Sequence, residues 1–241
     1  MADVTTSASD LPRRPSPLGT GRLVRAFASG VVWLSTLFLG AGTVHWLRGW
    51  IFAFVYGGCI TAVVLALRDW NPDLMAARLK WRHKDTKTFD KVFLAIHIPF
   101  TASMPAIAGM DVVRFRWSSM PSWIEAPAIA LLLLAIGLIM WVLKTNPWAE
   151  QTVRIQVDRD QSVVSSGPYR FVRHPMYVGA LTLYPAMACM LGSIAALAVA
   201  SVVMLAFVWR TAREDRTLRR ELPGFEAFAR VTKYRLVPGI W

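Results

Sequence analysis

Ionisable side chains stand at the ends of two neighbouring apolar runs near the C-terminus. The stretch RFVRHPMYVG places His174 and Tyr177 at the start of the first run. The stretch WRTAREDRT places Arg210 and Glu214 at the end of the second, spaced i,i+4, so that both lie on one helix face and can form an ion pair. Because an ionisable group at membrane depth costs about 2.5–3.5 kcal/mol on insertion scales, a convergent group of them indicates a functional site.

A hairpin through the residues LGS, 191–193, would bring these four side chains together. Two antiparallel helices joined there would place His174 and Tyr177 beside Arg210 and Glu214. The Glu214 carboxylate can hold an ammonium or a pair of hydroxyls, and arginines and helix-start N–H groups can hold a carboxylate. The types and spacing therefore predict a site for a zwitterionic ligand. Taken one at a time, the same residues would be ordinary contacts to lipid headgroups.

The elements that must position these groups are predicted to be membrane helices. The chain has 241 residues, of which 55% are hydrophobic and 17% are charged, whereas soluble domains average about 25% charged residues. An apolar run of about 18 or more residues can cross the ~30 Å hydrocarbon core as a helix. Such runs predict an all-α integral membrane protein with spans near residues 24–46, 50–67, 92–110, 124–143, 175–191 and 194–211.

The basic residues sort to one side of these spans. Of 27 Lys and Arg residues, 24 fall in the N-terminal region, in alternate loops or from Arg210 onward, which leaves Arg48, Arg114 and Arg116 for the opposite side. The positive-inside rule then predicts that both termini and the candidate site face the cytoplasm. This distribution explains the net charge of +12 and disfavours a nucleic-acid-binding patch as its cause.

The rest of the chain predicts one domain without a metal site. Residues 1–20 are rich in Ser, Thr and Pro and predict a disordered cytoplasmic tail, so that residues 21–241 form a single helical membrane domain with a small cytoplasmic cap. Cys59 and Cys189 lie inside predicted spans without CxxC spacing. The four histidines are scattered and lack metal-binding spacing, so we expect no metal cofactor.

Two cytoplasmic segments carry local patterns. Asn71–Lys91 opens with Asn-Pro-Asp, a helix-start signal, and predicts an interfacial helix. The residues expected to share one face of that helix are Leu74, Ala77, Arg78 and Trp81. The loop between the fourth and fifth spans contains β-prone pieces, TVRIQV and SVV, around the polar turn DRDQ, which predicts local extended structure.

The C-terminal motifs resemble a known family. The runs VVSSGPYRFVRHPMYVG and RTAREDRTLRRELPGFEAFARVTKYRLVPGIW are similar to the isoprenylcysteine carboxyl methyltransferase and phospholipid methyltransferase superfamily. That family's pattern runs Gly-x-Tyr, Arg-His-Pro-x-Tyr-x-Gly, Arg-x-x-x-Glu-Glu-x-x-Leu, an aromatic pair and a late Pro. The resemblance covers residues 146–241, the expected catalytic and cofactor-binding region, and the N-terminal spans look like those of bacterial members.

The resemblance implies a multi-pass enzyme of the bacterial inner membrane that uses S-adenosylmethionine under a cytoplasmic cap. Its implied catalytic residues are Arg210, which orients the acceptor, and Glu214, which also holds the cofactor. The further implied cofactor-binding residues are Gln156, Gln161, Ser162, Val163, Val164, Tyr169, His174 and Tyr177. Asp215 replaces the family's second glutamate, and Phe225 and Phe228 stand where tyrosines are common, so acceptor identity stays open.

The favoured reaction is carboxyl O-methylation of a lipid-like, prenylcysteine-like acceptor that enters from the bilayer. Methyl transfer from a sulfonium needs no metal, and positioning can supply about 7–11 kcal/mol of the barrier. A carboxylate acceptor is already ionised, whereas N-methylation of a phospholipid amine or S-methylation of a thiol needs a base such as Glu214, Asp215 or His174. The remaining alternatives are a membrane sterol or enone reductase that binds NAD(P)H and a scaffold without enzyme activity.

Overall fold

The computed structural model describes residues 20–79 and 85–241, which form helices and loops without any strand. The predicted all-α class is therefore confirmed for this part of the chain. The predicted tail, except Thr20, lies outside the described residues. The helices are α1 (Thr20–Ala41), α2 (Leu47–Trp70), α3 (Pro72–Arg78), α4 (Thr88–Gly109), α5 (Glu125–Thr145), α6 (Pro175–Leu191), α7 (Ile194–Glu221) and α8 (Phe225–Val231).

Every predicted span corresponds to an apolar helix, although the helices differ in length. Four are long and apolar enough to cross a membrane: Leu47–Trp70, Thr88–Arg114, Ser122–Thr145 and Ile194–Glu221. The apolar parts of the other two, Phe27–Ala41 and Pro175–Leu191, are shorter. These helices fit a membrane protein, while the number of crossings and the side that faces the cytoplasm stay predictions.

The predicted hairpin between α6 and α7 is present. Pro175 occupies the first turn of α6, where its missing N–H loses no hydrogen bond. Gly192 ends the helix with φ of +74°, the left-handed conformation that favours glycine. Ser193 then caps α7, since its hydroxyl accepts a hydrogen bond from the N–H of Ala196 at 2.9 Å. As a result, the start of α6 lies beside the end of α7.

Asp111, which is fully buried, fixes the opposite end of this hairpin. It lies in the π-helical turn Met110–Arg114, which extends α4. Its Oδ2 accepts hydrogen bonds from the hydroxyls of Ser118 and Ser193, each at 2.6 Å, and from the N–H of Ala195 at 3.0 Å. The carboxylate therefore satisfies donors at the start of α7, which a helix start otherwise leaves unpaired.

The helices pack around a core of small and aliphatic residues. Gly40 of α1 and Gly109 of α4 lie where the two helices touch, and a Cβ added to Gly109 would overlap the backbone of α1 at Leu37. Small residues allow membrane helices to approach this closely. The largest fully buried side chains are Phe52, Phe93, Leu37, Leu74, Met104, Leu132, Met187, Met190, Leu191, Gln156, Val142 and Val203.

The loop between α5 and α6 forms no strand, and most of TVRIQV and SVV lies outside its turns, so the predicted local extended structure stays a prediction. Side chains take up some of the backbone groups of these pieces. The Val153 N–H donates to Asp90 at 2.8 Å, and the Gln156 N–H donates to the side chain of Gln161 at 2.8 Å. The two 3₁₀ turns of this loop are Val157–Arg159 and Gly167–Arg170.

Helix α3 packs against the core, and its predicted position at the membrane interface stays a prediction. Its start is capped by Asn71, whose side chain accepts from the Leu74 N–H at 2.9 Å. Leu74 and Met75 are buried against other helices. Among the residues predicted to share one face, Arg78 ends α3, whereas Trp81 lies outside the described residues. Helix α3 is thus anchored to the core.

Candidate functional site

A cavity of about 440 Å³ lies at the end of the bundle where α6 begins and α7 ends. This volume falls in the range of about 300–1,000 Å³ that is typical of small-molecule sites. All ten residues that the sequence proposed as catalytic or cofactor-binding line this one cavity. They are Gln156, Gln161, Ser162, Val163, Val164, Tyr169, His174, Tyr177, Arg210 and Glu214. The structure thus brings the predicted set together, while the role of each member stays a prediction.

Glu214 lies at the junction of α6 and α7. The Tyr177 hydroxyl donates a hydrogen bond to its carboxylate. The Nδ1 atom of His174 lies 4.0 Å from Oε1 of Glu214, and the rings of His174 and Tyr177 are parallel with centroids 5.7 Å apart. Since the side chain of Glu214 is 18% exposed while His174 is buried, the carboxylate keeps a surface on which a ligand can bind.

Arg210 pairs with Asp90 of α4, and the predicted pairing with Glu214 is wrong. Its Nε lies 2.8 Å from Oδ1 of Asp90, and its Nη2 donates to the carbonyl oxygen of Gln151 at 2.7 Å. Helices α4 and α7 pack together, so the fully buried Asp90 competes successfully for the guanidinium. The guanidinium carbon also lies 4.3 Å from the ring centroid of Phe93, a cation–π contact.

Asp215, the neighbour of Glu214, points away from the cavity and binds four cationic or titratable side chains. Its carboxylate accepts from Arg173 at 2.6 and 3.2 Å and lies 3.3 Å from Nε2 of His174. Arg219 and Arg235 donate to it at 3.2 and 3.0 Å. Because Asp215 does not line the cavity, it does not fit the role of a base for the acceptor.

Gln156 and Gln161, both implied cofactor-binding residues, hold the loop in place. Nε2 of the buried Gln156 donates to the carbonyl oxygen of Trp148 at 2.8 Å, and its Oε1 accepts from Arg159 at 2.9 Å. The side-chain oxygen of Gln161 accepts from the Gln156 N–H. Both residues line the cavity. The hydrogen bonds of their side chains stay within the loop and stabilise this part of the cavity wall.

Arg154 ties the same loop together through two carboxylates. It donates to Glu150 at 2.9 and 3.0 Å and to Asp158 at 2.6 Å. The hydrogen bonds with Glu150 raise the pKa of Arg154 further above its ordinary value. The hydrogen bond from Arg154 in turn lowers the pKa of Asp158. Ion pairs therefore fix this wall of the cavity.

Aromatic side chains close the cavity on the side of α8. The Tyr169 hydroxyl accepts a hydrogen bond from Nδ2 of Asn146 at 2.6 Å, and burial raises the pKa of Tyr169 to about 12. Phe225 and Phe228 pack edge to face with centroids 5.5 Å apart, and both are buried where they line the cavity. This wall offers flat apolar faces and one neutral hydroxyl.

Several residues of the site were missed in the sequence. Asp90 holds Arg210, Arg78 reaches the cavity from α3, and His97 pairs with Tyr184 at 2.7 Å in the cavity wall. A titratable residue inside a predicted span was an available signal for His97. For Asp90 and Arg78, no local pattern gives the partner, because the contact joins segments far apart in sequence.

Comparison with known proteins adds two findings. Residues 124–222 match the family model of phospholipid methyltransferases. The cobalt-zinc-cadmium resistance protein CzcN of Cupriavidus metallidurans is 36% identical over 121 residues, which cover 48% of this chain and 51% of CzcN. The chain therefore spans about half the length of that curated relative.

The matched region contains most of the cavity-lining residues, from the end of α5 to the end of α7. Residues 20–79 and 85–241 contain no group of three or more His, Cys, Asp or Glu side chains arranged to hold a metal ion. The family match confirms the resemblance that the motifs predicted: residues 124–222 carry the pattern of the isoprenylcysteine and phospholipid methyltransferase group.

Proposed function

We propose that this protein is a membrane methyltransferase that transfers a methyl group from S-adenosylmethionine to a lipid-like acceptor. The observation that carries the proposal is the meeting of Glu214, His174 and Tyr177 with Arg210 around one cavity. Three features support it together: an acidic group for a cationic ligand, a guanidinium beside it, and the family pattern over the same residues. If each of these residues only contacted a lipid headgroup, there would be no reason for them to line one cavity.

The residues present fit this cofactor. The Glu214 carboxylate suits ribose hydroxyls or an ammonium, and Tyr169 supplies a neutral hydroxyl. The buried faces of Phe225 and Phe228 suit a purine ring, since aromatic rings stack on flat π-systems. When bound, the cofactor supplies a methyl group on a positively charged sulfur, and transfer to a carboxylate oxygen leaves a neutral thioether without any proton transfer.

Arg210 is suited to orient the acceptor. Its guanidinium has five N–H donors, of which Nε faces Asp90 and one on Nη2 binds Gln151. The remaining donors leave room for a two-pronged interaction with a carboxylate, the geometry that Arg prefers. Asp90 and Gln151 hold the guanidinium in place, so the acceptor meets a group that is already oriented. Such positioning is the main contribution that a protein makes to an in-line displacement.

The acceptor is proposed to be lipid-like because the cavity continues between the apolar helices. Its walls include Leu94 of α4, Ile139 of α5, Leu183 of α6 and Phe207 of α7, all in or beside candidate membrane-spanning segments. An apolar chain of an amphiphile can occupy this part while its polar end lies near Arg210. The burial of each CH₂ group there would contribute about 0.8 kcal/mol.

Carboxyl O-methylation of a prenylcysteine-like acceptor is the favoured reaction, since it needs no base. Methylation of a phospholipid amine or of a thiol would need a proton acceptor, for which Glu214 and His174 are the candidates that line the cavity. A reductase would instead bind a nicotinamide cofactor. The site is proposed to face the cytoplasm, the side on which the basic residues concentrate.

Calorimetry of two variants tests the assignment of roles. Glu214→Gln is expected to weaken S-adenosylmethionine binding roughly 10–100-fold, because a charge-assisted contact is lost. Arg210→Lys keeps a charge beside Asp90 but loses the planar fork, so we expect cofactor affinity within about threefold of the wild type and turnover lower by at least about 100-fold. Arg210→Ala is less suitable, since it would strand the buried Asp90 carboxylate.

The outcomes separate the competing functions. Equal cofactor affinities in the two variants would refute the role assignment. Binding of NADPH but not of S-adenosylmethionine by the wild type would favour the reductase, and binding of neither would favour a scaffold. Thermal unfolding of each variant in detergent provides the control for folding.

A further inference from the structure

Arg78 brings a second guanidinium into the cavity from the N-terminal half of the chain. It stands in the last turn of α3, outside the family-matched residues 124–222, and it lines the cavity. Leu74 and Met75, buried one turn earlier, anchor α3 to the core, and this packing fixes the position of Arg78. The Arg78 side chain is thus part of the site in a way that the C-terminal motifs did not indicate.

Arg78 and Arg210 are tethered to the same short piece of backbone. Nη1 of Arg78 donates to the carbonyl oxygen of Ala149 at 2.6 Å, and Nη2 of Arg210 donates to that of Gln151 at 2.7 Å. Two residues of chain span no more than about 7 Å. The two guanidinium groups therefore bind the same stretch of the cavity wall, and they are near enough for the charge of Arg210 to lower the pKa of Arg78.

Among the arginines that line the cavity, Arg78 is the one without a carboxylate partner in the described residues. Three other arginines line it, and each forms an ion pair with a carboxylate: Arg154 with Glu150, Arg173 with Asp215, and Arg210 with Asp90. For Arg78, no carboxylate of residues 20–79 and 85–241 lies within ion-pair distance; its described hydrogen bond goes to a neutral carbonyl. Burial and the nearby charge of Arg210 lower the pKa of Arg78 to about 10, so it is still protonated at neutral pH.

We propose that Arg78 and Arg210 together bind an oxyanion of the methyl acceptor, which makes Arg78 a determinant of acceptor class. This inference rests on the proposed function and specifies its substrate: an amphiphile with a carboxylate or phosphate at its polar end. A cation that is partly withdrawn from water, as Arg78 is, gains from pairing with an anion, and a planar guanidinium suits two-pronged contact with either oxyanion. The acceptor's negative charge supplies the missing partner.

The charge count assigns this anion to the acceptor instead of the cofactor. The remaining cavity carboxylate, Glu214, offsets the positive sulfur of the cofactor, whose ammonium and carboxylate offset each other. The predicted cofactor strip is Gln161–Val164, and the implied cofactor-binding residues Gln156 and Tyr169 lie on either side of it; all of them follow the Ala149–Gln151 segment in the chain. Methylation of a carboxylate removes the negative charge, so the clamp binds the ester product more weakly and favours its release.

Binding measurements on the full chain in detergent micelles test this proposal. The protein is saturated with S-adenosylhomocysteine, which cannot transfer a methyl group, and is titrated with S-dodecyl-N-acetylcysteine and with its neutral primary amide. Phosphatidic acid, with diacylglycerol as its neutral counterpart, forms the second arm and distinguishes a phosphate from a carboxylate. The variants are Arg78→Gln, Arg78→Lys and, as a matched control, Arg230→Gln, whose side chain is 79% exposed.

We expect Arg78→Gln to weaken binding of the anionic probe roughly 10–100-fold and to leave the neutral counterpart unchanged. Arg78→Lys should lie between it and the wild type, because the charge remains while the fork is lost. The Arg230→Gln control should match the wild type. Whichever arm shows the loss identifies the oxyanion as a carboxylate or a phosphate.

Two results would overturn the inference. One is an affinity of Arg78→Gln for both anionic probes within about twofold of the wild type. The other is a loss of S-adenosylhomocysteine affinity without a loss of acceptor affinity, which would place Arg78 in the cofactor site. If the wild type binds no S-adenosylhomocysteine, the proposed function fails, and the same titrations without the nucleoside still show whether Arg78 selects the anionic probes.

Discussion

Replacement of Asp215 by asparagine is the sharpest test of how the candidate site is held together. The carboxylate accepts from Arg173, Arg219 and Arg235 and contacts His174. Asparagine has nearly the same shape and can still form hydrogen bonds, but it carries no charge. The substitution therefore removes the electrostatic partner of several cations while it leaves packing almost unchanged.

The magnitude follows from the burial of each partner. Asp215 and Arg173 have side chains only 1% and 2% exposed, so the loss of the carboxylate leaves a buried guanidinium whose other acceptors are the carbonyl oxygens of Thr232 and Lys233. Removal of one member of a buried pair costs about 3–5 kcal/mol. Arg219, whose side chain is 32% exposed, adds less than about 1 kcal/mol because solvent screens it.

Thermal unfolding in detergent measures this effect. For a chain of this size, each kcal/mol shifts Tm by about 2–4 °C, so Asp215→Asn should lower Tm by about 6–20 °C. Asp158→Asn is the matched control, since its side chain is 62% exposed although it pairs with Arg154 at 2.6 Å. It should lower Tm by no more than about 4 °C. Equal shifts in the two variants, or an unchanged Tm in Asp215→Asn, would refute the reasoning.

Two further predictions concern packing and ionisation. Gly109→Ala should destabilise the protein by about 1–3 kcal/mol in denaturant unfolding, because the new methyl group meets the backbone of α1, whereas Gly137→Ala, with open space around it, should be neutral or stabilising. Burial raises the pKa of Tyr169 from 10.0 to about 12, so the folded state keeps a proton that the unfolded state loses, and stability falls as pH rises from 10 to 12. Tyr169→Phe should show a smaller fall over that range, and an identical fall would count against the shift.

The sequence predicted the elements well where local signals were strong. Helix α6 has the predicted bounds because Pro175 starts it and Gly192 stops it. Helix α7 instead continues to Glu221, ten residues beyond the predicted span, because its last turns are polar and their charges are paired within the protein. Hydropathy finds the part of a helix that can cross a membrane, and it does not register a polar extension.

The members of the site were predictable, whereas their partners were not. Two short motifs and one hairpin suffice to bring His174 and Tyr177 to Arg210 and Glu214. In an antiparallel pair of helices, the start of the first helix lies beside the end of the second. The partner of Arg210 comes instead from α4, and a single sequence contains no periodic signal for a contact across that distance. A local i,i+4 rule therefore gave the wrong ion pair.

Glu214 and Asp215 are adjacent in sequence, but helix geometry directs their carboxylates to different partners. Successive residues of an α-helix differ by about 100° in direction. When Glu214 faces the cavity, Asp215 is turned toward the start of α6 and the C-terminal segment, where it binds Arg173 and Arg235. Asp215 therefore cannot replace Glu214 in Glu214→Gln, despite its proximity in the chain. Conversely, the loss of Asp215 acts on the cavity through His174 and Arg173, which line it and which Asp215 helps to position.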